Sequence, residues 1–332
     1  MELSSGQNGS SILWFFREKG FEDRCVQEML RKCKRLEAVK KEQAAENWAY
    51  LESIGVRERK IPSIITRCPK ILTFQIEERL EPMVQCLNTL ASKPKEVATA
   101  IVKFPYIFCH GVEEKLCPML AFFQALGVPE KQLGKMVLVN PRVLSYSIDQ
   151  KLVKFVDFFA KLGLKGEGVL GKILVKNPFI IGYSVEKRLQ PTLEFLQSMG
   201  LTQSDLARLA INYPEVLSRD VKKTLELNLD FLKSCGFDSH QTKTLITNYP
   251  PVLIKSIKNS LEPKIKFLVE RMGRSIDEIV NCPDFFRYGL KKRLEHRQRV
   301  LAQKNIHCSL SEMLNSNQKK FAIKYGLIPD LA

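Results

Sequence analysis

The sequence predicts an all-α fold, an α-solenoid of helix–3₁₀–helix repeats of about 36 residues. The first observation is a proline followed, two and three residues later, by a pair of apolar residues, as in NPRVL and NYPEVL. The intervals between these prolines are 36, 36, 37, 36, 36 and 33 residues, and the prolines are Pro69, Pro105, Pro141, Pro178, Pro214, Pro250 and Pro283. The second observation is a leucine eleven residues after every proline: Leu80, Leu116, Leu152, Leu189, Leu225, Leu261 and Leu294. The third is a glycine near the twenty-second position, as at Gly163 and Gly200.

The repeat that starts at Pro141 shows how each element follows from its residues. A proline ends the preceding helix because it lacks an N–H and clashes with the turn before it. The apolar pair Val143–Leu144 then predicts a 3₁₀ turn, and Ser147 has the side chain of a helix N-cap. The apolar residues from 152 to 162 have the spacing of an amphipathic helix, here called helix A, and a second one, helix B, extends to the next proline. Two short helices cannot bury these apolar faces alone, so the repeats are expected to stack.

Both ends of the chain depart from the repeat. The N-terminal frame keeps an aromatic or apolar pair five residues before Gly20 and Gly55, but Cys33 stands where the proline is expected. We therefore predict a flexible N-terminus over residues 1–11 and a single array over 12–326. Within the array we expect a degenerate first repeat to about residue 55, regular repeats over about 56–283 and a basic C-terminal cap over 284–326. Residues 327–332 are expected to be a tail.

Composition limits the partners and the chemistry. The chain has 52 Lys and Arg against 36 Asp and Glu, a net charge of +16, which favours a polyanionic partner. No apolar run approaches the roughly 20 residues that span a bilayer, and the apolar faces are needed for stacking, so no membrane partner is expected. The nine cysteines are scattered without a C-x-x-C pair, which is typical of buried reduced thiols. We expect no metal, no cofactor and no catalytic residue, and the G-x-G-x-x-G match at Gly166, Gly168 and Gly171 is interpreted as packing because it follows a helix.

The repeat resembles that of the mitochondrial transcription termination factor (mTERF) family. The resemblance rests on the proline with its apolar pair, the leucine-rich helix ending near glycine, and the segments LVKNPFIIGYSVEKRL, MGRSIDEIV and SNQKKFAIKYG, and it covers Phe15 to Tyr325. The pattern is most similar to a short organellar branch of the family in land plants. The resemblance implies a left-handed superhelix that binds double-stranded DNA or organellar RNA, and a location in the chloroplast, the mitochondrion or both. Residues 1–11 contain no convincing import signal.

One column of the repeat is rich in cations. Ten residues after the prolines the chain has Arg79, Lys115, Lys151, Arg188, Thr224, Ser260 and Arg293. Cations in the first turn of a helix oppose the helix dipole, so this column is interpreted as a phosphate contact row. The alternative is a solvated face with local ion pairs. The predicted nucleic-acid-binding residues are this column's cations together with neighbouring ones: Arg79, Lys115, Lys151, Lys187, Arg188, Lys223, Lys292, Arg293 and Arg297.

Two further features are candidates for contact with nucleic acid. Five residues after the prolines, Tyr146, Tyr183 and Tyr288 are candidates for stacking on a base or ribose, with a hydrophobic staple before the N-cap as the alternative. Basic clusters also lie at both ends, at 287–304 and at Arg31, Lys32, Lys34 and Arg35. We therefore predict a monomeric organellar nucleic-acid-binding factor, not an enzyme, that binds double-stranded DNA in transcription termination or regulation. A role in tRNA or rRNA maturation is also open, and the alternative is an RNA-binding or protein-scaffolding solenoid.

Overall fold

The computed structural model describes residues 12–325, and the predicted flexible start, Gly326 and the predicted tail lie outside them. In the described range the chain consists of helices and turns without a β-strand, which confirms the all-α prediction. The chain forms two compact units, Met1–Gly182 and Tyr183–Ala332, each described by itself below. The finer boundaries within the array and the handedness of the solenoid stay predictions.

Unit 1 begins with a repeat that lacks the proline and continues with the regular ones. Its helices are α1 Ile12–Glu18, α2 Asp23–Lys32, α3 Lys41–Ser53, α4 Ile61–Arg67, α5 Glu81–Leu90, α6 Pro94–Lys103, α7 Cys117–Ala125, α8 Glu130–Val139, α9 Val153–Lys161 and α10 Val169–Lys176. Its 3₁₀ turns at the proline frames are Lys34–Ala38, Pro69–Thr73, Pro105–Cys109, Pro141–Ser145 and Ile180–Gly182. The first of these forms after Cys33, so the degenerate repeat keeps the turn without the proline.

Unit 2 continues the same alternation and ends in three short helices. Its helices are α11 Gln190–Ser198, α12 Gln203–Asn212, α13 Pro214–Leu217, α14 Glu226–Ser234, α15 Ser239–Asn248, α16 Glu262–Lys266, α17 Asp277–Asn281, α18 His296–Gln303, α19 Leu310–Leu314 and α20 Gln318–Lys324. Its 3₁₀ turns are Pro250–Ile254 and Pro283–Arg287, and the single helical turn α13 takes their place after Tyr213.

Helix A of each regular repeat starts with one π-helical turn, in which N–H groups donate to the carbonyl five residues earlier. Leu152 N–H, for example, donates to the carbonyl of Ser147 at 3.3 Å. The predicted N-cap side chains accept from the third residue of the helix at Ser147, Ser184, Asp220 and Ser256. Gly163 has φ +87°, a conformation that ends the helix and that suits glycine because it has no Cβ.

The core consists of the residues that define the period. The leucines eleven residues after the prolines have no exposed surface, and the apolar pairs that follow the prolines, such as Ile71–Leu72 and Phe285–Phe286, are also fully buried. Each buried apolar side chain contributes about 1.5–3 kcal/mol relative to an exposed one, so these positions supply most of the stacking energy.

Gly171, the last glycine of the G-x-G-x-x-G match, is a packing residue. Gly171 N–H donates to the carbonyl of Leu126 at 2.8 Å, and a Cβ at Gly171 would lie 2.2 Å from the carbonyl oxygen of Gly127. Helix α10 therefore packs backbone to backbone on the end of α7, and no side chain fits between them.

Candidate nucleic-acid interface

The predicted cation column of unit 1 contacts the backbone of the next repeat. Arg79 donates from Nε to the carbonyl of Phe108 at 3.1 Å and from Nη2 to that of Cys109 at 2.9 Å. Lys115 donates to the carbonyl of Tyr146 at 2.6 Å, and Lys151 donates to that of Gly182 at 2.7 Å. These carbonyls end the next 3₁₀ turn, where helical hydrogen bonding stops, so each cation satisfies an otherwise unpaired acceptor. We call such residues inter-repeat donors.

A second position, one helical turn further along helix A, supplies the donor where the column is neutral. In the repeat with Thr224, Asn228 donates to the carbonyls of Val252 at 2.9 Å and Lys255 at 2.8 Å. In the repeat with Ser260, Lys264 donates to the carbonyl of Phe286 at 2.8 Å. Asn47 in the first repeat and Thr192 in α11 use the same position. The donor to the carbonyls of the next repeat can thus stand either in the column or at this second position. This explains why the column is neutral where the second position supplies the donor.

The C-terminal cap uses both positions, and this changes the assignment of Arg297. Arg293 donates to the carbonyls of Leu314 at 2.7 Å and Ser316 at 2.6 Å. Arg297 has no exposed surface, donates to the carbonyls of Met313 and Ser316, and lies 4.3 Å over the Phe321 ring. A side chain enclosed in this way cannot reach a phosphate, so we remove Arg297 from the predicted interface.

The remaining predicted cations of unit 2 differ in availability. Arg188 forms an ion pair with Asp220 at 2.7 Å, so a carboxylate already balances its charge. Lys187, Lys223 and Lys292 are exposed. Their contact with nucleic acid stays a prediction.

Two of the three predicted stacking tyrosines, Tyr146 and Tyr288, lie against cations of their own repeat. Lys151 Nζ is 3.9 Å from the centre of the Tyr146 ring, and the Arg293 guanidinium is 3.8 Å from that of Tyr288. Such contacts hold the cation in place beside the carbonyls it bonds. Tyr183 is 39% exposed. Stacking of all three on bases stays a prediction.

The stacked 3₁₀ turns of unit 1 present a basic surface that the column did not indicate. Successive turns contact one another from Lys34–Ala38 to Ile180–Gly182, and we call this stack the turn ladder. The residue directly after the proline, or after Cys33 in the first repeat, is exposed in every repeat of the ladder: Lys34, Lys70, Tyr106, Arg142 and Phe179. The equivalent residues of unit 2 are Glu215, Pro251 and Asp284. Lys34 belongs to a predicted basic cluster, but this position as a whole was not predicted, although cations and aromatics alternate along it at Lys70, Tyr106, Arg142 and Phe179.

At one end of the turn ladder the cations surround a concave pocket of about 460 Å³. We call it the basic pocket, and its cations are Lys32, Lys34, Arg35, Lys70 and Arg79. None of its lining residues is acidic, and the four cations other than Arg79 form no ion pair within the part of the chain described. The pocket therefore concentrates positive charge in a concave surface, where it attracts anions strongly.

Burial and nearby cations lower the pKa values of two groups in unit 1. Burial lowers the pKa of His110, and the cations Lys115 and Arg79 lower it further. Burial and then Arg142 lower the pKa of Lys151. Burial is the larger cause for both groups, and the nearby cations add to it.

A second basic concavity lies between α6 and α8, with a volume of about 490 Å³. Its lysines are Lys93, Lys95, Lys103, Lys131 and Lys135. Unlike the basic pocket it contains an acid, Glu96, which accepts from the Ser92 N–H at 3.0 Å. It therefore offers a matched comparison for charge-reversal experiments.

Comparison with known proteins gives the family. The mTERF family model matches residues 7–322. The chain belongs to the mTERF family. It is 68% identical over 321 residues, 96% of both chains, to "Transcription termination factor MTERF6, chloroplastic/mitochondrial" of Arabidopsis thaliana. It is also 36% identical over 64 residues, 19% of this chain and 13% of the relative, to "Transcription termination factor MTERF4, chloroplastic" of Oryza sativa subsp. japonica.

Residues 12–325 contain no helix that is long and apolar enough to cross a membrane and no cluster of three His, Cys, Asp or Glu suited to a metal.

Proposed function

We propose that this family member is an organellar nucleic-acid-binding factor for transcription termination or regulation, acting by binding alone. Double-stranded DNA is the proposed main ligand, a monomer the proposed form, and the chloroplast or the mitochondrion the proposed location. The observation that carries the proposal is the basic pocket, with five cations and no acidic lining residue. The family match and the name of the Arabidopsis relative support the biological role and the location.

The proposed contact is electrostatic and does not depend on base sequence. Phosphates on one DNA strand advance by about 3.4 Å, and each lysine or arginine that neutralises one releases condensed counterions. Lys34 and Lys70 are exposed and lack carboxylate partners among the described residues, so no ion pair with these residues has to break when the two lysines bind phosphate. The inter-repeat donors Arg79, Lys115 and Lys151 are proposed to add to the positive field of unit 1 while they hold the repeats together.

Charge reversal of Lys34 and Lys70 tests the proposal. We expect Lys34→Glu/Lys70→Glu to lower the affinity for duplex DNA at least about tenfold. The slope of log K against log salt, which is negative, is expected to become shallower by roughly 2, since each lost phosphate contact removes about 0.9 from its magnitude. Fluorescence anisotropy at several salt concentrations measures both quantities.

The control variant Lys131→Glu/Lys135→Glu changes the net charge by the same amount in the second concavity. We expect it to retain most of the affinity and the slope. An equal loss in both variants would place the contact elsewhere, and unchanged binding by the first variant would exclude the basic pocket. Circular dichroism verifies that both variants fold. Light scattering tests whether the protein is a monomer.

Single-stranded RNA is the second candidate ligand, and the turn ladder gives a specific reason for it. Tyr106 is 44% exposed and Phe179 47% exposed, and they alternate with Lys70 and Arg142 along the ladder. Exposed aromatics among cations are typical of surfaces on which unpaired bases stack. If Tyr106→Ala/Phe179→Ala weakens binding of single-stranded RNA and leaves duplex DNA binding intact, RNA is read by this face. If both ligands bind as before, the aromatics have no part in recognition.

A further inference from the structure

Two cysteines from consecutive repeats are in direct contact at the basic pocket. The Sγ atoms of Cys68 and Cys109 lie 3.5 Å apart, although the residues are separated by 41 positions. Cys68 lies between the end of α4 and Pro69 and is fully buried, whereas Cys109 ends the next 3₁₀ turn, is partly exposed and lines the pocket. One thiol is therefore accessible and the other is shielded behind it.

The surroundings of the two thiols are different. The hydrogen bond from Cys68, followed by the charges of Lys70 and Arg79, lowers the pKa of Cys109 against the effect of burial. The same hydrogen bond and burial raise the pKa of Cys68. Cys109 is thus the thiol of the pair that ionises more readily, and the thiolate is the form that reacts with oxidants and disulfides.

We propose that Cys68 and Cys109 are a reversible redox pair, in which Cys109 reacts first with a peroxide and Cys68 then closes an intramolecular disulfide. The Cys109 thiolate attacks one peroxide oxygen, which breaks the O–O bond and gives a sulfenic acid and hydroxide. The Cys68 sulfur attacks the sulfenic sulfur and loses its proton, and water leaves. In total, two thiols are oxidised and one hydrogen peroxide is reduced to two water molecules.

The two sulfur atoms are already close to each other. A disulfide has sulfurs about 2.05 Å apart, so the two atoms need to approach by only about 1.5 Å. The bond would join the end of α4 to the turn Pro105–Cys109. Arg67, one residue before Cys68, already bonds the carbonyls of Val102 at 3.0 Å and Lys103 at 2.7 Å and holds the same two repeats together. The proposal does not depend on nucleic-acid binding.

Peptide mapping of the wild-type full chain tests the pair. The reduced protein is treated with hydrogen peroxide, alkylated under denaturing conditions and digested with trypsin. We expect a disulfide between the peptides 68–70 and 104–115 that disappears after treatment with dithiothreitol. We also expect the melting temperature of the oxidised protein to rise, because the new link restrains the unfolded chain.

Variants separate this pair from the other thiols. Cys33 also lines the pocket, so Cys33→Ser should leave the link intact, whereas Cys68→Ser should leave Cys109 as a sulfenic acid that reacts with dimedone. A link from Cys109 to Cys33, or oxidation of Cys109 to the sulfinic acid in the wild type without any link, would overturn the proposal. Because the decisive mapping uses the wild type, it stands even if the Cys68 variant folds poorly.

Discussion

At the scale of single residues, polar side chains buried between repeats are explained by the carbonyls they meet. A 3₁₀ turn followed by an extended residue leaves its last carbonyls without helical donors, and the preceding repeat supplies the donor from helix A. Lys264 is the most enclosed lysine donor, with 6% of its surface exposed. Burial first and Lys255 second lower the pKa of Lys264 to about 8.

The lowered pKa predicts how Lys264 affects stability as the pH changes. Below pH 8 the lysine is charged in both the folded and the unfolded chain, and folding has to desolvate the charge. Between pH 8 and 10.5 the unfolded chain binds more protons than the folded one, so the free energy of unfolding rises with pH. Relative to Lys264→Met, the wild type should gain about 2 kcal/mol between pH 7.5 and 9.5.

Urea denaturation of both proteins at the two pH values measures the difference. Lys266→Met is the control, because Lys266 lies on the same helix, is exposed and pairs with Glu262 at 3.0 Å. The control should show no comparable gain over this range. If the stability difference between wild type and Lys264→Met were independent of pH, Lys264 would be ordinarily solvated.

At the scale of the elements, the distance between helices of adjacent repeats depends on a few glycines. Gly134 in α8 faces the carbonyl of Leu90, 2.0 Å from where a Cβ would stand, and Gly171 in α10 faces that of Gly127. In both cases the opposing atom is backbone, which cannot rotate away as a side chain could. The stacking of α5 with α8 and of α7 with α10 therefore requires these glycines.

Gly171→Ala is expected to destabilise the protein by about 1–3 kcal/mol, the usual cost of overpacking. Alanine is by itself the better helix former by about 1 kcal/mol, so a loss of stability must come from the contact with Gly127. Thermal unfolding measures the loss. Gly289→Ala, where no atom lies within 4 Å of the new Cβ, should change the melting temperature little. A stabilising Gly171→Ala would show that α10 can move away from α7.

At the scale of the whole molecule, the cations behind the net charge of +16 are not equally free to bind a polyanion in the two units. At the position after the proline frame, the charged residues of the turn ladder are the exposed cations Lys34, Lys70 and Arg142, which form no ion pair with another described residue. The equivalent residues of unit 2 include Asp284, which pairs with Arg287 at 3.0 Å. We therefore expect a polyanion to cover the basic pocket more completely than any surface around the turns of unit 2.

Thiol labelling can follow that coverage. Bound duplex DNA should slow alkylation of Cys109 in the basic pocket several-fold, while Cys235 of unit 2, also partly exposed, should react at an unchanged rate. The rates are measured by mass spectrometry with and without DNA, and again in high salt, where the protection should disappear. Equal protection of both thiols would mean that the DNA does not favour the basic pocket. This outcome would not bear on the proposed disulfide between Cys68 and Cys109.

The sequence by itself determined the fold class, the period, the turn after each proline, the buried leucines and the family. These features follow from local chemistry: a missing N–H, an N-cap hydroxyl, or apolar residues at helical spacing. Only the tertiary structure decided what the charged residues face. Lys151 and Arg297 bond carbonyls, Lys34 and Lys70 surround an open pocket, and Cys68 meets Cys109. The reason is that a side chain's partners lie about one repeat away along the chain, and their positions depend on how the repeats stack.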